Sequence, residues 1–380
     1  MTVPAKADPL RLDPQLCRRR QQRLCDVMQS LDLELAVLSQ PEHVQYLTGF
    51  RTPHVLLKSA VSLSVDGHCI LAAPNSEPDH VAADRIVTFE AQWHATLRQE
   101  QPRESARALA DALEDSGPMA RVGVEFANCG PHLQAILNSP SELVDLESAL
   151  WQLRRNKDPD ELAMIGRAIA CTEAMYQRAR EIIAPGITEL EVFTQLHAAA
   201  VGVAGEPLTA CGNDYQCNSP GGPPRTRQAQ PGELFVLDLG PGYRGYYADN
   251  CRTISVDGRP SEDQLRAWSA IVATLDMVED TVRPGVSCRE LFHSAQAMLD
   301  DYRPGAFGHH LGHAFGLFPH EGPHLNPNWD DTFEEGDVFT AEPGLYGPEL
   351  AAGIRLEQNY RVTAGGVERL TSHPLDLALV

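Results

Sequence analysis

Two acidic pairs and one histidine-rich segment carry most of the chemical potential of this 380-residue chain. Asp238 closes the apolar run Gly-Glu-Leu-Phe-Val-Leu-Asp, and Asp249 follows beyond Pro-Gly-Tyr-Arg-Gly. The midpoint of the pair falls between Tyr243 and Arg244, so a hairpin folded there sets the two aspartates nearly opposite each other. Glu342 closes a matching run, and Glu357 lies beyond a longer loop whose midpoint is near Glu349. Like charges that face each other on buried strands are costly unless a cation sits between them. An isolated pair of this kind is usually a solvated strand face. Here Phe235, Val236, Leu237 and Leu239 surround Asp238, and Val338, Phe339 and Thr340 precede Glu342, so metal ligation is the better reading. The segment Gly308 to Glu321, GHHLGHAFGLFPHE, adds His309, His310, His313 and His320 among glycines that let the backbone pass close to a buried centre. Four carboxylates balance two divalent cations, which makes a dinuclear centre with a bridging hydroxide electrostatically reasonable. An oxygen-rich set with imidazole suits Mn²⁺, Co²⁺, Fe²⁺ or Zn²⁺ without choosing among them.

The elements that must position these groups repeat themselves. PGITELEVF from Pro185 and PGVSCRELF from Pro284 agree at Pro, Gly, a β-branched residue, Thr or Ser, Glu and Phe. Each predicts a turn that enters a helix capped by Thr188 or Ser287. GELFVLD and GDVFTAE, the strands that end in Asp238 and Glu342, follow at an offset of about 100 residues, the mark of an internal duplication. Ahead of the repeat, residues 15–31 predict a helix, and Leu35 to Leu38 a short strand that runs into a turn at Pro41. VSLSVDGHCILAAP reads as a hairpin turning at Asp66-Gly67, a helix around Arg103 to Glu114 stops near Gly117-Pro118, and RVGVEF is a further strand. This alternation predicts an α/β domain over residues 1–153. The polar stretch RRNKDPDEL, where Asp158-Pro159 can start a helix, marks the passage to a second domain, 154–380.

Composition narrows the function. A formal charge of −21 argues against a nucleic-acid partner, since a phosphate backbone is bound by Lys and Arg that displace counterions. The one basic run, Arg18, Arg19, Arg20 and Arg23, reads as a solvated helix face. No apolar run approaches the length of a membrane span. The opening MTVPAKADPLRLDP has no apolar stretch for a signal peptide, and nine scattered cysteines fit reduced thiols, so a cytoplasmic protein is expected.

Five spaced motifs, VLDLG, YADN, GHAFGL, AEPGLY and IRLEQN, together resemble the ligand signature of the pita-bread metallopeptidases, the family of methionine aminopeptidases, Xaa-Pro aminopeptidases, prolidases and creatinases. HVQYLTGF, from His43, resembles the creatinase/prolidase N-terminal domain, and LRRNKDPDELAMI the entry to the catalytic domain. The resemblance implies an α/β N-terminal domain followed by an α+β pita-bread catalytic domain with an internal pseudo-two-fold repeat. It implies Asp238, Asp249, His313, Glu342 and Glu357 as ligands of two divalent ions, Mn, Co or Zn, with Glu342 also shuttling the proton. His320 and His309 match histidines that contact the substrate and the transition state, and would donate to the developing oxyanion or the leaving imide. Tyr346 and Arg355 match the proline-specific branch. Arg355 would hold a substrate carboxylate or close the pocket, unless a neighbour such as Glu349 pairs with it. The implied activity is metal-dependent hydrolysis of Xaa-Pro dipeptides, a prolidase, in a homodimer, with Xaa-Pro aminopeptidase action on longer peptides as the alternative. A creatinase-like hydrolase is disfavoured because creatinases act without a metal, and a non-catalytic binding protein because no ligand is lost. One departure stands out. The family carries a histidine about 17 or 18 residues before its first aspartate ligand, but no histidine lies between His197 and His293 here. The window CGNDYQCNSPGGPP offers Asn218, Gln216 or Tyr215 as its replacement.

Overall fold

A computed structural model describes residues 10–114, 117, 119–137 and 142–377. Most of the opening segment judged for a signal peptide, and Pro118 of the expected helix stop, lie outside them. The chain divides into two units, Met1–Arg154 and Arg155–Val380.

In the first unit a six-stranded sheet runs in the order Arg85–Phe89, Cys69–Pro74, Ala60–Ser64, Leu35–Leu38, Arg121–Val124, Glu142–Asp145. The expected hairpin forms, with Ser62 opposite Ile70 and Gly67 in the left-handed region that its turn requires. The helix Gln101–Leu113 lays Ala106 and Leu109 on a core of Leu35, Val37, Val122 and Val124. Pro41 does not make the turn expected of it: it is the first residue of the helix Pro41–Thr48. Its fixed φ suits a first helical turn, where its missing N–H would have had no partner. The basic run is not wholly solvated either. Helix Pro14–Ser30 buries Cys17, Gln21, Leu24, Cys25 and Met28, and Arg20 falls on that stripe, fully buried, its guanidinium over the Tyr46 ring. Arg18 pairs with Asp84 at 2.8 Å.

The second unit shows the duplication in its caps. Thr188 accepts from Glu191 N–H at the start of helix Glu189–Ala204 and bridges to Gln228. Ser287 accepts from Glu290 N–H at the start of Cys288–Tyr302 and bridges to Thr332. Asp158 starts helix Pro159–Ile182 with a capping box completed by Glu161. Leu234–Asp238 is the centre of a three-stranded sheet between Asp214–Cys217 and Cys251–Ser255. Its counterpart Val338–Ala341 lies in a five-stranded sheet between Gly312–Ala314 and Gln358–Thr363. Among the described residues no helix is long and apolar enough to cross a membrane.

Candidate metal centre

Strand register decides which carboxylates meet. Ala341 pairs with Gln358, and beyond it Gly344 pairs with Arg355, so Glu342 and Glu357 fall opposite each other as the loop midpoint predicts. The other pair is shifted. Tyr243 pairs with Tyr246 across a turn at Arg244-Gly245, both with positive φ, one residue later than the sequence midpoint. Asp238 therefore pairs with Cys251. Asp249 lies outside the ladder, its carbonyl held by the Asn359 amide, yet its side chain still converges. Ligand atoms of Asp238, Asp249 and Glu357 all lie within 4.8 Å of one another. His313 enters on the strand Gly312–Ala314, which can pass so close to its neighbour only because residue 312 lacks a side chain: a Cβ there would sit 2.0 Å from the Thr340 carbonyl oxygen.

The donor set is arranged for a cation. His313 Nδ1–H donates to the Ala314 carbonyl at 3.0 Å. That leaves the Nε2 lone pair facing two acceptors, Asp249 Oδ2 at 3.6 Å and Glu342 Oε1 at 3.5 Å. Asp238 Oδ1 and Glu357 Oε2 are buried without a hydrogen-bond partner. Unsatisfied buried carboxylate oxygens and an unprotonated imidazole nitrogen in one place are a donor set that fits a divalent cation. The electrostatics agree. Burial, then repulsion from neighbouring carboxylates, holds Asp249 and Glu357 well above the ordinary carboxyl range. Asp238 is pushed up to about 6 by burial, against the pull of Arg355. Burial lowers His313 to about 4, which keeps it neutral and able to ligate. Glu342 is the exception: burial would raise it, but the His310 hydrogen bond at 2.8 Å and the surrounding histidines bring it down to about 2.

The remaining site residues gather around the same cavity, of about 490 Å³, which they line together with Asn213, Asp214 and Pro220. His320 is exposed and stacks on His313 with ring centroids 3.7 Å apart. Two expected roles change. His309 is not free to donate into the cavity: Nδ1–H donates to the His310 carbonyl at 2.8 Å, so Nε2 accepts from the Tyr346 hydroxyl at 3.0 Å. Arg355 does not pair with Glu349, which is taken by Arg303. Its Nη1 donates to the Tyr346 hydroxyl at 3.0 Å, and its Nη2 to Asp214 at 2.5 Å and Asp238 at 2.7 Å. Asp214 is the functional candidate that the sequence reading passed over, and His310, named with the other histidines of its segment, gains a role there as the partner of Glu342. None of Asn218, Gln216 and Tyr215 lines the cavity: Gln216 donates to the Pro223 carbonyl and Tyr215 to that of Cys211.

Residues 163–364 match the metallopeptidase family M24, and residues 20–155 match the creatinase/prolidase N-terminal domain. The chain belongs to metallopeptidase family M24. An uncharacterised peptidase of Staphylococcus aureus strain MW2 is 26% identical over 358 residues, 92% of this chain and 98% of that protein. The fold is similar to that of the prolidase from Pyrococcus furiosus, at 23% identity and a TM-score of 0.76 over 92% of this chain and 99% of that one. It is equally similar to the X-Pro aminopeptidase from Thermotoga maritima, at 20% identity and a TM-score of 0.77 over 94% and 99%. The protein is thus a peptidase of a metal-dependent family, with a creatinase/prolidase-type N-terminal domain and a pita-bread C-terminal domain.

Proposed function

We propose that this M24 peptidase hydrolyses the peptide bond that precedes proline, with Xaa-Pro dipeptides as its preferred substrates, through a centre of two divalent ions in a catalytic domain over 154–380 that follows an N-terminal domain over 1–153. One observation carries the chemistry: Asp238, Asp249, His313 and Glu342 line a single cavity, Glu357 reaches within 4.8 Å of the two aspartates from the buried side, and Asp238 Oδ1 and Glu357 Oε2 are buried without a donor. The preference for proline rests on His309, Tyr346 and Arg355, which match the proline-specific branch and are joined here in one hydrogen-bonded chain. Manganese, cobalt or zinc would suit the donor set. Nine cysteines with no disulfide among them support a reducing compartment such as the cytoplasm, and the family resemblance a homodimer.

Those five side chains would hold the ions, which supply Lewis-acid polarisation of the scissile carbonyl and a water acidic enough to attack near neutral pH. The chain's own residues do the rest. Glu342, ionised at neutral pH, takes a proton from the attacking water and passes it to the leaving nitrogen. An Xaa-Pro bond has no N–H, so this proton makes the secondary amine of the released proline residue. His310, on Glu342 Oε1, fixes the carboxylate for that transfer. His320, open to the cavity and braced against His313, donates to the developing oxyanion. His309 orients the Tyr346 hydroxyl and does not itself donate to the substrate.

One observation favours the aminopeptidase reading. Arg355 is the only Arg or Lys among the residues described as lining the cavity, and both its terminal nitrogens are engaged by Tyr346, Asp214 and Asp238. A guanidinium so occupied is a poor receptor for a dipeptide's C-terminal carboxylate. Hydrolysis of an Xaa-Pro dipeptide and an Xaa-Pro-Yaa tripeptide by metal-stripped protein, with and without Mn²⁺, Co²⁺ or Zn²⁺, separates the two. Metal-dependent cleavage of the dipeptide alone supports the prolidase; cleavage of the tripeptide moves the assignment to an aminopeptidase. Failure on both, with metal bound, overturns the proline preference.

A further inference from the structure

Asp214 and Asp238 lie directly opposite each other on neighbouring antiparallel strands. Two facing carboxylates repel unless a cation bridges them. Arg355 supplies it, one guanidinium nitrogen donating to Asp214 Oδ2 at 2.5 Å and to Asp238 Oδ2 at 2.7 Å. Asp214 is fixed from its other side, where Oδ1 accepts from the Gly222 N–H at 2.7 Å. The loop closes so tightly over this carboxylate that a Cβ on Gly221 would come within 2.4 Å of Oδ2. A side chain at position 221, one of the two places where the family histidine would fall, would displace Asp214.

We propose that Asp214 is a positioning residue of the metal centre, one that neutralises Arg355 so that the guanidinium can orient Asp238 without consuming the negative charge that binds the ions. The proposal rests on the five-ligand reading above. Asp238, Asp249, Glu342 and Glu357 carry four negative charges, the complement of two divalent cations. An uncompensated Arg355 against Asp238 would cancel one of the four and set a fixed positive charge beside an incoming cation. Asp214, as close to the guanidinium as Asp238 is, restores the balance. The hydrogen bond from Arg355 to Asp238 Oδ2 then leaves Oδ1 as the free ligand atom, and Oδ1 is the buried oxygen without a partner. Partners of metal ligands act in this way, by orienting a ligand and tuning the charge around it.

Calorimetric titration of Mn²⁺ into the metal-stripped full-length protein tests this without recourse to activity, with thermal unfolding as the check that each variant is folded. Asp214→Asn should weaken binding by about 10- to 100-fold, the usual cost of losing an outer partner of a metal ligand. The double variant D214N/R355Q, which removes both charges, should bind at least about threefold better than D214N, because the loss in the single variant comes from its coupling to Arg355, and stay below wild type because the bond that orients Asp238 is gone. Equal affinity in wild type and D214N overturns the proposal, and so does a double variant that binds no better than D214N. Should D214N fail to fold, R355Q against the double variant decides: affinities within about threefold support the charge argument, since Asp214 then has no guanidinium to neutralise, and a further loss of about tenfold or more in the double variant overturns it. A wild-type protein that binds no Mn²⁺, Co²⁺ or Zn²⁺ removes the five-ligand centre itself, and this inference falls with it. Binding in wild type with no effect of D214N removes the inference alone.

Discussion

Adding a divalent ion to the metal-stripped protein should raise its thermal stability, and by more at pH 8 than at pH 5. The reason lies in what holds the centre's protons. Burial pushes Asp238 up to about 6, and burial with repulsion from neighbouring carboxylates holds Asp249 and Glu357 well above the ordinary carboxyl range. An unfolded aspartate gives up its proton around pH 4. Between that value and about 6, the metal-free fold holds a proton on Asp238 that the unfolded chain does not, so Asp238 costs stability as the pH rises, and the cost is complete above about 6. An ion relieves that cost, but below pH 6 it must first displace the proton. At pH 5, one unit below the Asp238 value, displacement costs about 1.4 kcal/mol, or about tenfold in affinity. Asp249 and Glu357 act in the same direction, while His313, at about 4, is neutral at both pH values and adds nothing. With ion at a hundred times its pH 8 dissociation constant, one site stabilises by about 2.7 kcal/mol, and at pH 5 by about half that. For a domain the size of the second unit this is about 5–10 °C against about half that shift. Differential scanning calorimetry with and without Mn²⁺ at the two pH values measures it. A shift independent of pH, or larger at pH 5, would refute the assignment of these carboxylates as ligands.

Three substitutions follow from the same geometry. Glu342→Gln should lower peptidase activity by about 10²- to 10⁴-fold in a folded protein, since it removes the proton carrier; wild-type turnover by this variant would move that role to another group. Thr340→Val deletes the hydroxyl that donates to Glu357 Oε1 and leaves both oxygens of that buried carboxylate without a donor, which should cost about 1–3 kcal/mol in urea unfolding of the metal-free protein. No change there would mean that Glu357 is held by something other than this bond. Lys157 and Glu321 form a fully buried pair at 3.1 Å, next to His320 in the chain. Lys157→Met should destabilise by about 3–5 kcal/mol, and the double variant K157M/E321L should regain much of it, because a buried carboxylate that has lost its ion-pair partner costs more than an apolar pair. Equal stability of the single and double variants would contradict that reading.

What was legible in the sequence was what local rules govern. Thr188, Ser287 and Asp158 cap helices through bonds made within three residues, so the duplication and the entry to the second unit could be read directly. Glu342 and Glu357 sit symmetrically about a loop whose flanking hairpin keeps one register, and they meet as expected. Asp238 and Asp249 do not, because the turn settles on Arg244-Gly245, where glycine accepts the positive φ. Arg20 carried a usable signal, since its spacing from Cys17 and Leu24 places it on the buried stripe of its helix. Asp214 carried none. Its role depends on a strand pairing and on an arginine from a distant hairpin, and neither shows in a window of sequence. His309 and Arg355 were legible as members of the site, but the partners that occupy their nitrogens come from the fold.

Anomalous diffraction from crystals of the Mn²⁺-loaded protein tests the central claim most directly. The account predicts two anomalous peaks in the cavity, within coordination distance of Asp238, Asp249, His313, Glu342 and Glu357, with Asp238 Oδ1 and Glu357 Oε2 among the ligating atoms. Manganese bound elsewhere, or a cavity without a peak while Glu357 finds a hydrogen-bond donor, would contradict it.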